Sequence, residues 1–170
     1  IPLTDAELLG IVGSQTCNDT RKLILTTALS LVGKVPYFWG GKSEAGWNDE
    51  WNKPKLVTSA GSSSTGTIRP FGLDCSGFTD WVYKTALGVS IQAGSWGQYT
   101  HSSPISESEL LPGAALHRDR AVRTKIVRPV TQQPARGLHT RERFAANHDP
   151  GIGLIVLEQD IVARLEALDE

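Results

Sequence analysis

The stretch "FGLDCSGFTDWVYKTALG", Phe71 to Gly88, constrains this chain more than any other. Phe78, Trp81, Val82 and the Thr85–Ala86 pair recur at steps of three and four, which predicts an amphipathic helix ending near Gly88. Such a helix must lay its apolar face on another layer. Asp74 stands where an N-cap belongs, and Cys75 would open the first turn. A helix start gathers unpaired N–H groups and the positive end of the dipole. A thiolate gains there, and so would an oxyanion formed on an attacked carbonyl. A lone helical cysteine can equally be inert packing, and an isolated Asp before a helix only a cap.

Upstream, "TDAE" reads as a capping box, with Thr4 as N-cap and Glu7 three residues on. "DTRKLILTTALSLVGK" predicts a second helix, with Leu23, Ile24, Ala28, Leu31 and Val32 inward and Gly33 as its stop. "VPYFWGG" reads as extended, then broken by its glycines. From Lys42 to Gly72 the chain is polar and rich in Gly and Ser, a connection of a length that is often functional or mobile.

The composition switches near Gly113. All five Trp and three Tyr lie before it, and Phe144 is the one Phe, Tyr or Trp after it. Basic residues change from mostly Lys to a run of Arg from Arg118 to Arg164 with only Lys125 among them. This predicts two segments of different origin: 1–113, in which 1–18 is a linker or short helix, and an atypical Arg-rich 114–170. "SESELLPG" reads as a turn-like approach to a strand. Strands are expected in "AVRTKIVRPV", ended by Pro129, and in "GIGLIVL", before a final helix in "LEQDIVARLEALDE".

With 170 residues the chain can bury one ordinary core. A net charge of −1 gives no sign of a polyanionic partner. The arginines after Gly113 lack interleaved aromatics and are diluted by Asp119, Glu142 and Asp149, so no nucleic-acid partner is expected. No apolar run is long enough for a membrane span. The start at Ile1 without any Met, and without a basic-then-apolar leader, leads us to expect a processed product or part of a longer polypeptide. Two cysteines make no disulfide framework or metal spacing, so Cys17 and Cys75 are expected as free thiols, with a bridge as the alternative.

"VPYFWGG", a long loop, "GLDCSGFTDWVY" and then "ELLPG", in that order, resemble the NlpC-type (p-sixty) family of bacterial cell-wall cysteine endopeptidases over about Thr20 to Gly113. The resemblance implies a papain-like α+β fold, with the Cys-bearing helix packed on an antiparallel sheet. It implies hydrolysis of peptidoglycan stem peptides, typically between γ-D-glutamate and a diamino acid. It also implies an extracellular or cell-wall location, with no metal or cofactor, and a monomer is expected. Cys75 would be the nucleophile. Asp74 and Ser76 would line the substrate cleft, Asp74 suited to hold a free amino group, and Tyr37 would bring its hydroxyl near the thiol or the oxyanion.

The family's "LLPG" is followed by Asp, an apolar strand, and a second strand opening on the catalytic His. Here "AALHRDRAVRTK" follows, so the sheet half of the fold is expected to be incomplete or replaced. Among four histidines, His101 reads as a surface residue, His117 follows the motif too closely, and His139 sits among arginines. His148, in "NHDPGIGLIVL" just ahead of an apolar run, is the candidate base; Gln159 as its orienting residue would fall in a helical pattern. The rival expectation is an inactive, truncated or frame-shifted derivative that at most binds wall peptides. With half a sheet missing, Phe78, Trp81 and Val82 would form an uncovered face.

Overall fold

The computed structural model describes residues 1–102, 111–118, 124–127 and 154–156. Helix α1 (Asp5–Gly13) opens on the expected capping box between Thr4 and Glu7. Helix α2 (Asp19–Leu29) is capped by Asn18, whose side chain accepts from the Arg21 N–H at 3.0 Å. Its inward face is Ile24, Leu25, Ala28 and Leu29. Leu23, expected inside, is 47% exposed, and α2 stops short of Gly33. Tighter turns follow it, in which the Leu31 N–H donates to Ala28 O and the Val32 N–H to Leu29 O.

Most of the Lys42–Gly72 connection is exposed, yet it is folded and adds a few side chains to the core. It contains the antiparallel pair β1 (Pro54–Leu56) and β2 (Ile68–Pro70), with Lys55 opposite Arg69. It also buries Trp51 and Val57. Helix α3 (Cys75–Leu87) runs as its periodicity predicts and ends on Gly88 in the left-handed conformation. Trp81 and Val82 are buried, and Phe78 is half-buried against the core, so the expected uncovered face does not form. Two elements of the front half cover it. Helix α2 packs along α3. The connection folds over Trp81, whose ring meets Trp51 edge-on at 5.7 Å and whose Nε1–H donates to Gly46 O at 2.7 Å. An aromatic pair of this kind adds about 1 kcal/mol to the burial itself.

Helix α4 (Ser95–Thr100) follows, then β3 (Ala114–Arg118), β4 (Thr124–Val127) and β5 (Leu154–Val156). These strands form an antiparallel sheet in the order β4-β3-β5, with Leu116 opposite Ile126 on one side and Leu154 on the other. The expected final helix lies outside the described residues. The "LLPG" turn leading into β3 is held by both long helices. Arg21 donates to Pro112 O at 2.9 Å and to Leu111 O at 3.3 Å, and the buried Tyr83 hydroxyl donates to Gly113 O at 3.1 Å. Burial pushes the Tyr83 phenol up to about 12. No helix among the described residues is long and apolar enough to cross a membrane.

Candidate active site

Cys75 is the first residue of α3, half-buried, with a free thiol; Cys17 is free as well. Its place is fixed by the backbone around it. The segment Pro36–Gly41 runs beside Leu73–Asp74: the Leu73 N–H donates to Pro36 O, the Phe38 N–H to Leu73 O, and the Asp74 N–H to Gly41 O. Tyr37 and Leu73 form a parallel bridge. Two glycines make this approach possible. A Cβ on Gly72 would stand 1.8 Å from Pro36 O, and one on Gly77 would stand 2.1 Å from Gly41 O. The glycines of "GLDCSG" are therefore required by backbone contact, not by the thiol's chemistry.

Two clefts meet at Cys75. One, of about 280 Å3, is mostly apolar, lined by Leu31, Val32, Val35, Pro36, Tyr37 and Phe78 together with Leu73, Asp74 and Cys75. The other, of about 220 Å3, is lined by Trp39, Gly40, Ser59, Ala60, Gly94 and Ser95 with Asp74, Cys75 and Ser76. Trp39 is held in place by its Nε1–H donating to Ala60 O at 3.0 Å. An extended chain crossing the thiol would find a recess on each side.

The structure brings four of the five candidate residues together. Tyr37 is 62% exposed on the rim of the apolar cleft. Asp74 is only 8% exposed and acts as N-cap: Oδ1 accepts the Gly77 N–H at 2.7 Å and the Ser76 hydroxyl at 3.1 Å. The fifth, His148, lies outside the described residues, as do Gln159 and His139. His101, as expected, is exposed; its Nδ1 donates to Gly97 O at 2.9 Å. His117 lies on β3, opposite Lys125.

One charged residue of the site stands outside the motif that carries the thiol. Lys42, directly after "GG", places its ammonium on both oxygens of Asp74 and donates to Ser76 Oγ at 2.9 Å. Its position beside the motif is the only hint the sequence offers. Gln98 has no sequence signal. Fully buried, it donates from Nε2 to Ser76 O and Gln92 O, both at 2.7 Å, and accepts from Thr79 Oγ1 at 3.0 Å. It thereby ties α4 to the first turn of α3. Asp80, also buried, pairs with Lys84 at 2.9 Å and accepts from Ser90 and the Ile91 N–H, which holds the loop carrying Ala93 and Gly94 to the cleft. Among the described residues no cluster of His, Cys, Asp or Glu could hold a metal ion.

Fold and site together define a class: a small α+β protein with a thiol at a helix start, set where two clefts meet. The sequence profile of the NlpC/P60 family matches residues 33–124, more than half of the chain, and the chain belongs to that family. Membership brings with it a papain-like fold. The matched region starts later than Thr20 and runs past Gly113 into β4. A protein named probable endopeptidase p60, from Listeria grayi, is 44% identical over 48 residues, which span 28% of this chain and 9% of that protein. No solved structure gives a significant match.

Proposed function

We propose that the chain is a cell-wall cysteine endopeptidase that cleaves peptidoglycan stem peptides, at the bond between γ-D-glutamate and a diamino acid. The observation that carries the reading is Cys75 at the start of α3 where the two clefts meet, in a chain of the NlpC/P60 family. The Cys75 thiolate attacks the γ-glutamyl carbonyl, and the first-turn N–H groups of α3 hold the oxyanion. A histidine, His148 in this proposal, takes the thiol proton and gives it to the departing amine as the C–N bond breaks. Water, deprotonated by the same histidine, then hydrolyses the thioester and restores the thiol. Tyr37, Asp74 and Ser76 form the walls against which the peptide lies, with the sheet beneath α3. The protein acts outside the cell or in the wall.

The switch in composition after Gly113 favours a second reading, in which 114–170 is foreign to the domain and the cleft binds wall peptides without cutting them. Digestion of purified muropeptides by the wild type and by Cys75→Ala separates the two. The first reading expects products from the wild type and a loss of at least about a thousandfold in the variant. A wild type that releases nothing while a thiol reagent still labels Cys75 leaves the binding reading standing. Unchanged turnover in His148→Ala removes that residue as the base.

A further inference from the structure

Residues 88–102 include no Asp, Glu, Lys or Arg, yet they present Trp96, 57% exposed, stacked on Tyr99 with ring centres 5.7 Å apart and 24° between the planes. Gly94 and Ser95, just before it, line the second cleft together with Cys75. On α4, Ser95 and Tyr99 stand four residues apart and share a face, and Trp96 lies beside Tyr99. The aromatic pair therefore continues the wall of that cleft. It is also held firmly. Gln98, from the same helix, donates to Ser76 O and accepts from Thr79 Oγ1, and Asp80 accepts from Ser90 and the Ile91 N–H ahead of it. The polar side chains nearby in sequence, Gln92, Ser95 and Thr100, are exposed or half-buried and offer hydrogen bonds without charge. A flat apolar surface among neutral polar groups suits a ligand with an apolar face and a hydroxyl rim, which describes a saccharide ring. A polyanion or a charged peptide segment would meet no charge there.

We propose that Trp96 and Tyr99 form a saccharide-binding platform continuous with the second cleft, on which the sugar carrying the stem peptide rests while the peptide crosses Cys75. This deepens the peptidase reading and rests on it. A stem peptide hangs from its sugar by an amide at the first residue, and the γ-glutamyl carbonyl belongs to the second. Two extended residues span roughly 7 Å, a little more through the γ-carboxyl. The sugar next to the cut bond must therefore lie at the mouth of a cleft that holds the thiol, and the second cleft opens onto these rings.

The test measures kcat/KM for a disaccharide-linked alanyl–γ-D-glutamyl–diamino acid peptide and for the same peptide carrying only the lactyl group. Both have the same amide at the first residue, so their ratio reads the sugars alone. Wild type should favour the disaccharide form at least about fivefold. Trp96→Ala should bring the ratio close to one, and Trp96→Phe, which keeps a ring, should retain part of the preference. Because the readout is a ratio within one preparation, a lower folded fraction does not alter it. Should Trp96→Ala fail to fold, Trp96→Leu, apolar but without a ring, takes its place. An equal or reversed ratio in the wild type, or a preference unmoved in Trp96→Ala, overturns the proposal. If the wild type cuts neither substrate, the peptidase reading fails separately. Calorimetric binding of both compounds then decides: tighter binding of the disaccharide form, lost in Trp96→Ala, supports the platform, and equal, reversed or absent binding, or a preference that survives in that variant, removes it.

Discussion

Helices α2 and α3 begin with the same local device and end up doing different things. Each opens on an Asx residue whose side chain accepts the N–H three residues on: Asn18 from Arg21 at 3.0 Å, Asp74 from Gly77 at 2.7 Å. Asn18 is exposed and its work stops there. Asp74 is buried, charged, and carries a lysine from 32 residues earlier in the chain. The difference teaches that a cap is a local matter, whereas a site needs the cap's surroundings. The N1 residue of α2 is an exposed Asp19; that of α3 is a thiol between two clefts.

Truncating both caps gives the largest expected effect. Asn18→Ala should cost about 1 kcal/mol, the loss of one exposed cap. Asp74→Ala removes the cap and also leaves the Lys42 ammonium without its partner. For a fully buried pair that would cost about 3–5 kcal/mol, and the partial exposure of Lys42 places the expectation near the lower end of that range. Urea denaturation of the two variants against the wild type checks this. Equal losses would mean that the ion pair adds nothing and that the two helix starts are energetically alike.

The second test uses the target the helices share, the "LLPG" turn, which α2 reaches with a half-buried Arg21 and α3 with a fully buried Tyr83. The folded-state phenol titrates at about 12, above the unfolded value near 10. The unfolded chain therefore gives up this proton first. The contribution is fully present below about pH 10 and is lost as pH rises through 12, up to about 2–3 kcal/mol. Tyr83→Phe should lose about 1 kcal/mol at neutral pH with the Gly113 bond, and should lack this alkaline decline. Arg21→Ala should keep the decline. Stability measured at pH 9 and pH 12 distinguishes them; parallel curves for wild type and Tyr83→Phe would remove Tyr83 as the cause.

What could be read in the sequence follows the same division. The α3 boundaries, the Asp74 cap and the Thr4–Glu7 box are set within a few residues, and all are present. Phase and partners are not. Leu25 is fully buried and Leu23 half-exposed, because period alone does not say which face of α2 its neighbours cover. Gly33 was a fair stop signal, yet the helix had already tightened into turns at Leu31 and Val32. The cover over Trp81 comes from Gly46 and Trp51, inside a segment whose Gly and Ser content suggested mobility. Lys42 is hinted at only by its place after the two glycines, and Gln98 by nothing; the fold brings both to Ser76.

The smallest expected effect sharpens the comparison most. Asn18→Asp gives α2 the cap residue of α3 without its burial or its lysine. The new carboxylate keeps the bond to the Arg21 N–H and gains from the helix dipole, roughly 0.3–1 kcal/mol at low salt. Asp19, next in sequence and also exposed, opposes it by like charge, so the net should be a gain below about 0.5 kcal/mol. Raising ionic strength to 1 M shortens the screening length to about 3 Å and should erase most of it. Denaturation curves at low and high salt read this directly. A gain or loss above about 1 kcal/mol that persists in salt would show that charge at a cap matters without burial. The contrast between Asn18 and Asp74 would then lie in residue type. A small, salt-sensitive change places it in the fold: in Gly41 pressed on Gly77, and in Lys42 carried by that contact to the carboxylate beside Cys75.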